Sequence, residues 1–182
     1  MSDTNNHETI IRAIRQRTEN YYDAHGLCCS EAIIFVLNRG LEGGLSDDLA
    51  RRLGVGFCGG MGGGDGVCGA LGGAIVALGL ILGPNQRQGL PKAKMRQAAK
   101  KLHDVFHETL GSTCCRDLTA TYDGDHRAKL KNCQDITGLA AELCARIIFD
   151  FRPKLARRAD LDFLNRRETK AQAVIKKIGA YF

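Results

Sequence analysis

Cysteines at positions 28, 29, 58, 68, 114, 115, 133 and 144 carry most of the chemistry open to this 182-residue chain. A thiolate is a nucleophile and a soft metal ligand, whereas a buried thiol is a small, inert hydrophobe. Thiolates crowded at one point repel one another unless a cation holds them, and the cations that suit sulfur are zinc and the iron of iron–sulfur clusters. Structural zinc sites commonly show C-x2-4-C knuckles. None occurs here, because the closest pairs are the adjacent residues Cys28 with Cys29 and Cys114 with Cys115. Spacing therefore lowers zinc without choosing between the metals. Cys58 and Cys68 lie in GFCGGMGGGDGVCGALGG, residues 56–73, which hold ten glycines. Glycine in regular structure costs about 0.5–1 kcal/mol relative to alanine, so such a run needs a compensating reason: turns at positive φ, or backbone that must approach something closely. A phosphate-binding loop is a weak account, since GGMGGGDG lacks the Gly-Lys-Ser/Thr ending and no strand precedes it.

The elements that must position these thiols read as helices. In ETIIRAIRQRTENYY, Ile10, Ile11, Ile14 and Tyr21 share one face, with Thr4 or Asn5 as a cap. CSEAIIFVLNRG runs helically from Cys29 to Gly40, and Ser46 caps a short helix through Leu53. After the glycine run, CGALGGAIVALGLILGP ends at Gly83-Pro84; Pro91 opens a helix from Lys92 to Leu110 that Gly111 closes. CCRDLT forms a turn, followed by helices over roughly 133–150 and 155–178. No alternating strand and no repeat is present. The expected fold is all-α: a helical-bundle domain over residues 1–151 with a Gly-rich loop, and a basic C-terminal helical extension over 152–182. In this register Cys29, Cys68, Cys115 and Cys133 each fall in or beside a first helical turn. Unpaired N–H groups and partial positive charge there would stabilise a thiolate and lower its pKa.

Composition narrows the classes. A chain of this length buries a core without disulfide staples. Its polar start, MSDTNNHETI, has no signal-peptide pattern, so a cytoplasmic protein with thiols rather than structural disulfides is expected. The uncharged run from Val67 to Gly83 reaches the lower edge of a membrane span, but its glycines make it poor in bulk, and a buried central helix is expected instead. The formal charge of +6 is uneven: residues 1–151 carry 17 Lys and Arg against 17 Asp and Glu, and residues 152–182 carry nine against three. Basic runs of this kind are ordinarily solvated helix faces, so nucleic acid is not the expected partner.

The segments CSEA at 29–32, GFCGGMGGG at 56–64, CGALGG at 68–73, GSTCCRDL at 111–118 and the later Cys133 resemble the C-GCAxxG-C-C family of redox-active proteins. Its four recurrent cysteines map onto Cys29, Cys68, Cys115 and Cys133, with Cys28 and Cys114 as one-residue alternatives. A related domain occurs in split-Soret cytochromes, where an iron–sulfur centre is associated with such cysteines. The resemblance therefore implies a cluster-binding redox module with those four residues as ligands, serving another redox protein; a homodimer is also open. No C-x-x-C-H occurs, so c-type haem is not carried over.

Two other classes are weighed beside this electron-transfer reading. One is a thiol-disulfide oxidoreductase with Cys68 as nucleophile and Cys58 or Cys29 as resolving partner; the other is a zinc-stabilised module whose basic tail grips a polyanion. Cys58 and Cys144 are read first as inert buried thiols, although Cys58 could also pair with Cys68 or act as a spare ligand. His103 and His107 share a helix face at zinc-binding spacing, yet no third ligand accompanies them, and they are expected in solvent. Asp65 is expected to cap the helix that begins near Cys68, with proton transfer as its alternative role.

Overall fold

The computed structural model describes residues 2–84 and 89–179, with side chains over 6–84 and 89–175. Its helices are α1 (Ser2–His25), α2 (Cys29–Gly40), α3 (Asp47–Arg52), α4 (Cys58–Met61), α5 (Gly69–Leu82), α6 (Lys92–Leu110), α7 (Cys115–Thr119), α8 (His126–Phe151), α9 (Leu161–Asn165) and α10 (Lys170–Gly179). Among the described residues the β pairing is an isolated antiparallel bridge between Val67 and Cys114. The fold is all-α, as expected.

The layout follows from where apolar residues fall. Helices α2 and α5 are apolar nearly all round, which suits only a central position. Ile33, Ile34, Phe35, Leu37, Leu71, Leu78 and Leu82 are all buried, each contributing about 1.5–3 kcal/mol of transfer free energy. The amphipathic α1, α6 and α8 wrap this pair: α1 lies along α8, and α5 touches both α6 and α8. Contact between α2 and α5 is closest near their N-termini, because a Cβ on Gly73 would stand 2.6 Å from Ser30 Cα. That approach sets Cys29 beside Cys68. No described helix is long and apolar enough to cross a membrane.

Three boundaries depart from the sequence reading. First, α1 starts at Ser2, upstream of the expected caps at Thr4 and Asn5. Second, α8 starts at His126 rather than near 133, because the Asp125 carboxylate accepts from Ala128 N at 2.9 Å and nucleates a polar first turn without apolar periodicity. Cys133 thus sits two turns inside α8 and not at its N-terminus. Third, the C-terminal extension is broken into a 3-10 turn at Pro153–Arg158, then α9 and α10. Asp160 caps α9 through Phe163 N at 2.9 Å, and the buried Phe163 and Leu164 anchor it on the bundle. Between α9 and α10 the chain stays extended because α1 captures its carbonyls. Arg17 Nη1 donates to Arg166 O and Asn20 Nδ2 to Glu168 O, both at 2.8 Å.

Candidate metal centre

The glycine run is a tight crossing of backbone. Gly59, Gly60, Gly62 and Gly63 all have positive φ, as do Met61 and Asp65. The loop turns back so that Gly66 N donates to Gly60 O at 3.0 Å. Its far end lies beside the stretch before α7, where Cys68 N donates to Thr113 O at 2.8 Å and Cys115 N to Gly66 O at 2.6 Å. Those two bonds fix Cys68 and Cys115 side by side. Two glycines explain why the run cannot carry side chains. At Gly60, with φ of +71°, a Cβ would meet Cys115 Cβ at 2.6 Å; at Gly69 it would meet Cys29 Sγ and Phe57 O, each at 2.6 Å.

These approaches bring all four thiols that the sequence singles out to one place. Cys29 at the start of α2, Cys68 as the N-cap of α5, Cys115 at the start of α7 and Cys133 within α8 line one cavity of about 290 Å³. Tyr22, Leu118, His126, Lys129 and Ile136 share its wall, and no carboxylate is among the lining residues. The cavity is several times the roughly 30 Å³ that one water takes up in the liquid. Among the described residues, the group of three or more His, Cys, Asp or Glu ligand atoms within 4.8 Å of one another is Cys28, Glu31 and Cys58. No three of the four cavity sulfurs are therefore that close together.

The remaining cysteines separate cleanly. Cys28 also touches the cavity, but it is joined to Cys58 by a disulfide with Cα atoms 5.8 Å apart. This corrects two expectations, that the chain holds only thiols and that Cys58 is inert or pairs with Cys68. The close approach of Gly54 to Ser30 and Glu31 carries Cys58 back to the N-cap of α2, a path that spacing along the chain does not reveal. Cys114 turns away, its Sγ donating to Asp65 O at 3.1 Å, so Cys115 is the member of that pair at the cavity. Cys144 is fully buried elsewhere in α8 with its thiol on Ala74 O at 3.3 Å, in keeping with an inert core role. His103 and His107 are exposed on α6, away from the cavity. Asp65 does not cap α5; its backbone sits at positive φ and its carboxylate lies 3.8 Å from Arg116 Nε.

Burial overrides the helix ends in setting the thiol pKa values. Desolvation pushes Cys29 up to about 12, with Cys68 adding to the rise and the Ser30 N–H opposing it. It pushes Cys68 up to about 11 although the N–H groups of Ala70 and Leu71 face its sulfur. Cys115 and Cys133 are raised for the same first reason, with Lys129 pulling both down. The expected lowering by helix N-terminal N–H groups is present at Cys29 and Cys68 but outweighed, and it is absent from the causes at Cys115 and Cys133. Burial thus favours the protonated thiol at Cys68 and works against its activation as a nucleophile. The linkage has a definite sign. Folded values above the unfolded reference near 9 mean that the stabilisation is fully present below about pH 9 and is lost as pH rises through 11 and 12. Urea midpoints of iron-free protein are expected to be flat between pH 7 and about 8.5 and to fall steadily above 9; a midpoint that rises there would contradict the burial.

Tyr22 is a site residue that sequence reasoning missed. Its ring shares a helix with the core residue Tyr21 but lines the cavity beside Cys133, where its hydroxyl opposes the rise in the Cys133 pKa. Its own pKa is raised, chiefly by burial and then by Cys133 and Cys29. His126 and Lys129 were missed for a different reason, since the helix carrying them was placed too late in the chain. Residues 27–147 match the family described as "Putative redox-active protein (C_GCAxxG_C_C)". This chain belongs to that family. No curated protein and no solved structure matches it. The stretch shared with the C_GCAxxG_C_C family contains all eight cysteines but neither α1 nor the C-terminal extension. Tyr22 therefore reaches the cysteine cavity from outside the family segment. Tyr22→Phe should keep the fold and weaken retention of a bound metal centre by about tenfold, the usual scale for losing a hydrogen bond to a ligand. Chelator-driven release at fixed pH measures it, and an unchanged rate would remove Tyr22 from the centre.

Proposed function

We propose that this protein is an electron carrier whose cavity holds an iron–sulfur cluster through Cys29, Cys68, Cys115 and Cys133. The observation that carries the reading is the donor set: four cysteines from four separate elements around one largely apolar cavity, with no carboxylate among them. Hard cations such as calcium or magnesium are poorly served by such a wall. Sulfur spacing favours a polynuclear centre over zinc. A single tetrahedral zinc with bonds of about 2.3 Å needs all four sulfurs within about 3.8 Å of one another, whereas no three of these sulfurs lie within 4.8 Å of one another. A cluster spreads its thiolates over different iron atoms.

When bound, such a cluster supplies one-electron transfer at low reorganisation cost. The protein's own residues do the rest. The four sulfurs give up their protons on ligation, so loading is expected to be stronger at higher pH. The Tyr22 hydroxyl and the N–H groups of Ser30, Ala70 and Leu71 are directed at cysteine sulfurs, where they would stabilise negative charge and raise the potential. Leu118 and Ile136 limit water, while the partly exposed Cys115 and the open Gly59 leave one wall near the surface for exchange with a partner redox protein. Cytoplasmic residence belongs to the same proposal.

Anaerobic purification from iron-replete cells tests it. Brown protein with sulfur-to-iron charge-transfer absorption and matched iron and acid-labile sulfide is expected. Colourless protein containing stoichiometric zinc and no sulfide would replace the cluster by a structural metal site.

A further inference from the structure

The Cys28–Cys58 disulfide forms one edge of the cysteine cavity, and we propose that it is a second redox site, a reducible latch operated by a dithiol. The bridge joins the residue before α2 to α4, so it ties the first turn that carries Cys29 to the loop that carries Gly59 and Gly60. Cys28 and Gly59 both line the cavity. The latch therefore spans two parts of the same wall.

Three observations separate it from a structural staple. The two walls are already held next to the bridge without it: the buried Ser30 hydroxyl donates to Gly54 O at 2.7 Å, and Gly54 packs against the Glu31 backbone so closely that a Cβ there would stand 2.7 Å away. The bridge is partly open to solvent, whereas staples are normally enclosed; Cys58 lies between the exposed Gly56 and Gly59. Its loop side is backbone without bulk, with four glycines at positive φ from 59 to 63, so once the bond is cut the segment is held by main-chain bonds such as Gly66 N to Gly60 O and by little side-chain packing.

The exchange balances as a dithiol–disulfide reaction. A thiolate of the incoming dithiol attacks Cys58 Sγ, on the glycine-loop side of the bridge, forming a mixed disulfide while the S–S bond to Cys28 breaks and Cys28 leaves as a thiolate. The second thiol of the reductant then attacks the mixed disulfide, releasing Cys58 and closing the reductant's own disulfide. Two electrons and two protons pass from the dithiol to Cys28 and Cys58. Reduction adds Cys28 to the cavity as a fifth thiol and releases the loop edge.

The test uses the full native chain with dithiothreitol as the dithiol, read by alkylation and peptide mapping, and by protease cleavage within residues 56–66. Before reduction Cys28 and Cys58 should be linked and unlabelled. Dithiothreitol should expose both to alkylation while the helical circular dichroism is unchanged, oxidised dithiothreitol in excess should relink them, and loop cleavage should quicken at least about fivefold in the reduced form. In Cys58→Ser, Cys28 should label without reductant. A bridge that opens only after denaturation, a pair that labels fully in oxidised protein, or loop cleavage unchanged by reduction would each overturn the proposal. Iron and sulfide content do not enter these readouts, so the cluster reading and the latch can fail separately.

Discussion

Cys68→Ser protein, purified without oxygen from iron-replete cells, is expected to hold about a tenth or less of the wild-type iron and acid-labile sulfide. Cys68 is the most enclosed of the four cavity thiols, 7% exposed, and as the N-cap of α5 it is tied by its backbone bond to Thr113 to the stretch before α7. A hydroxyl there is a harder and far less acidic ligand than a thiol, and no neighbouring carboxylate can replace it. The control is Cys144→Ser. That thiol is fully buried, but it donates to Ala74 O outside the cavity, a bond serine can also make. Wild-type iron content is expected in the control. Equal losses in both variants would mean that general destabilisation, and not ligation, removes the centre.

The second large effect is on a residue with no functional group. Gly69→Ala places a methyl 2.6 Å from both Cys29 Sγ and Phe57 O, at the first residue of α5. The Phe57 carbonyl belongs to backbone and cannot rotate away as a flexible side chain would. Overpacking of this kind costs about 1–3 kcal/mol, and the sulfur displaced by it belongs to the cavity, so stability and iron content should fall together. Gly79→Ala, in the same helix with nothing within 4 Å of its added carbon, provides the contrast. Alanine there should stabilise by about 0.4–1 kcal/mol. Denaturation midpoints of the two variants should therefore move in opposite directions, and a shared direction would show that helix propensity alone governs the glycines of α5.

The disulfide sharpens how the two redox elements differ. Closing a separation of 30 residues lowers the entropy of the unfolded chain by an amount that corresponds to about 3.5 kcal/mol in the loop-closure model. Oxidised protein should therefore resist urea more than reduced protein, even though the walls it joins are packed in both. The thiols of the cavity contribute in another way. They gain their role only when a cation replaces their protons, and until then burial keeps them neutral.

The helical class and the starts of α2, α3 and α6 were legible in the residues, and the four cysteines singled out there, Cys29, Cys68, Cys115 and Cys133, line one cavity. Apolar periodicity, Ser46, Pro91 and Gly111 act over one or two turns, so their consequences can be read locally. The start of α8 was not legible in the same way, because its first turns are polar and their stability comes from the Asp125 cap and from packing of the later residues. The C-terminal extension looked continuous for a similar reason. Its break depends on Arg17 and Asn20, about 150 positions away, taking the carbonyls of Arg166 and Glu168.

By itself the sequence determined which side chains were available: eight thiols, a glycine run stripped of bulk, and helices apolar enough to bury around one core. Tertiary structure alone decided which sulfurs meet. It closed Cys28 onto Cys58, turned Cys114 toward a backbone carbonyl, brought Tyr22 to Cys133, and let desolvation outweigh the helix ends. The physical reason is range: propensity and capping act within a few residues, whereas contact and dielectric depend on what the rest of the chain places next to each sulfur.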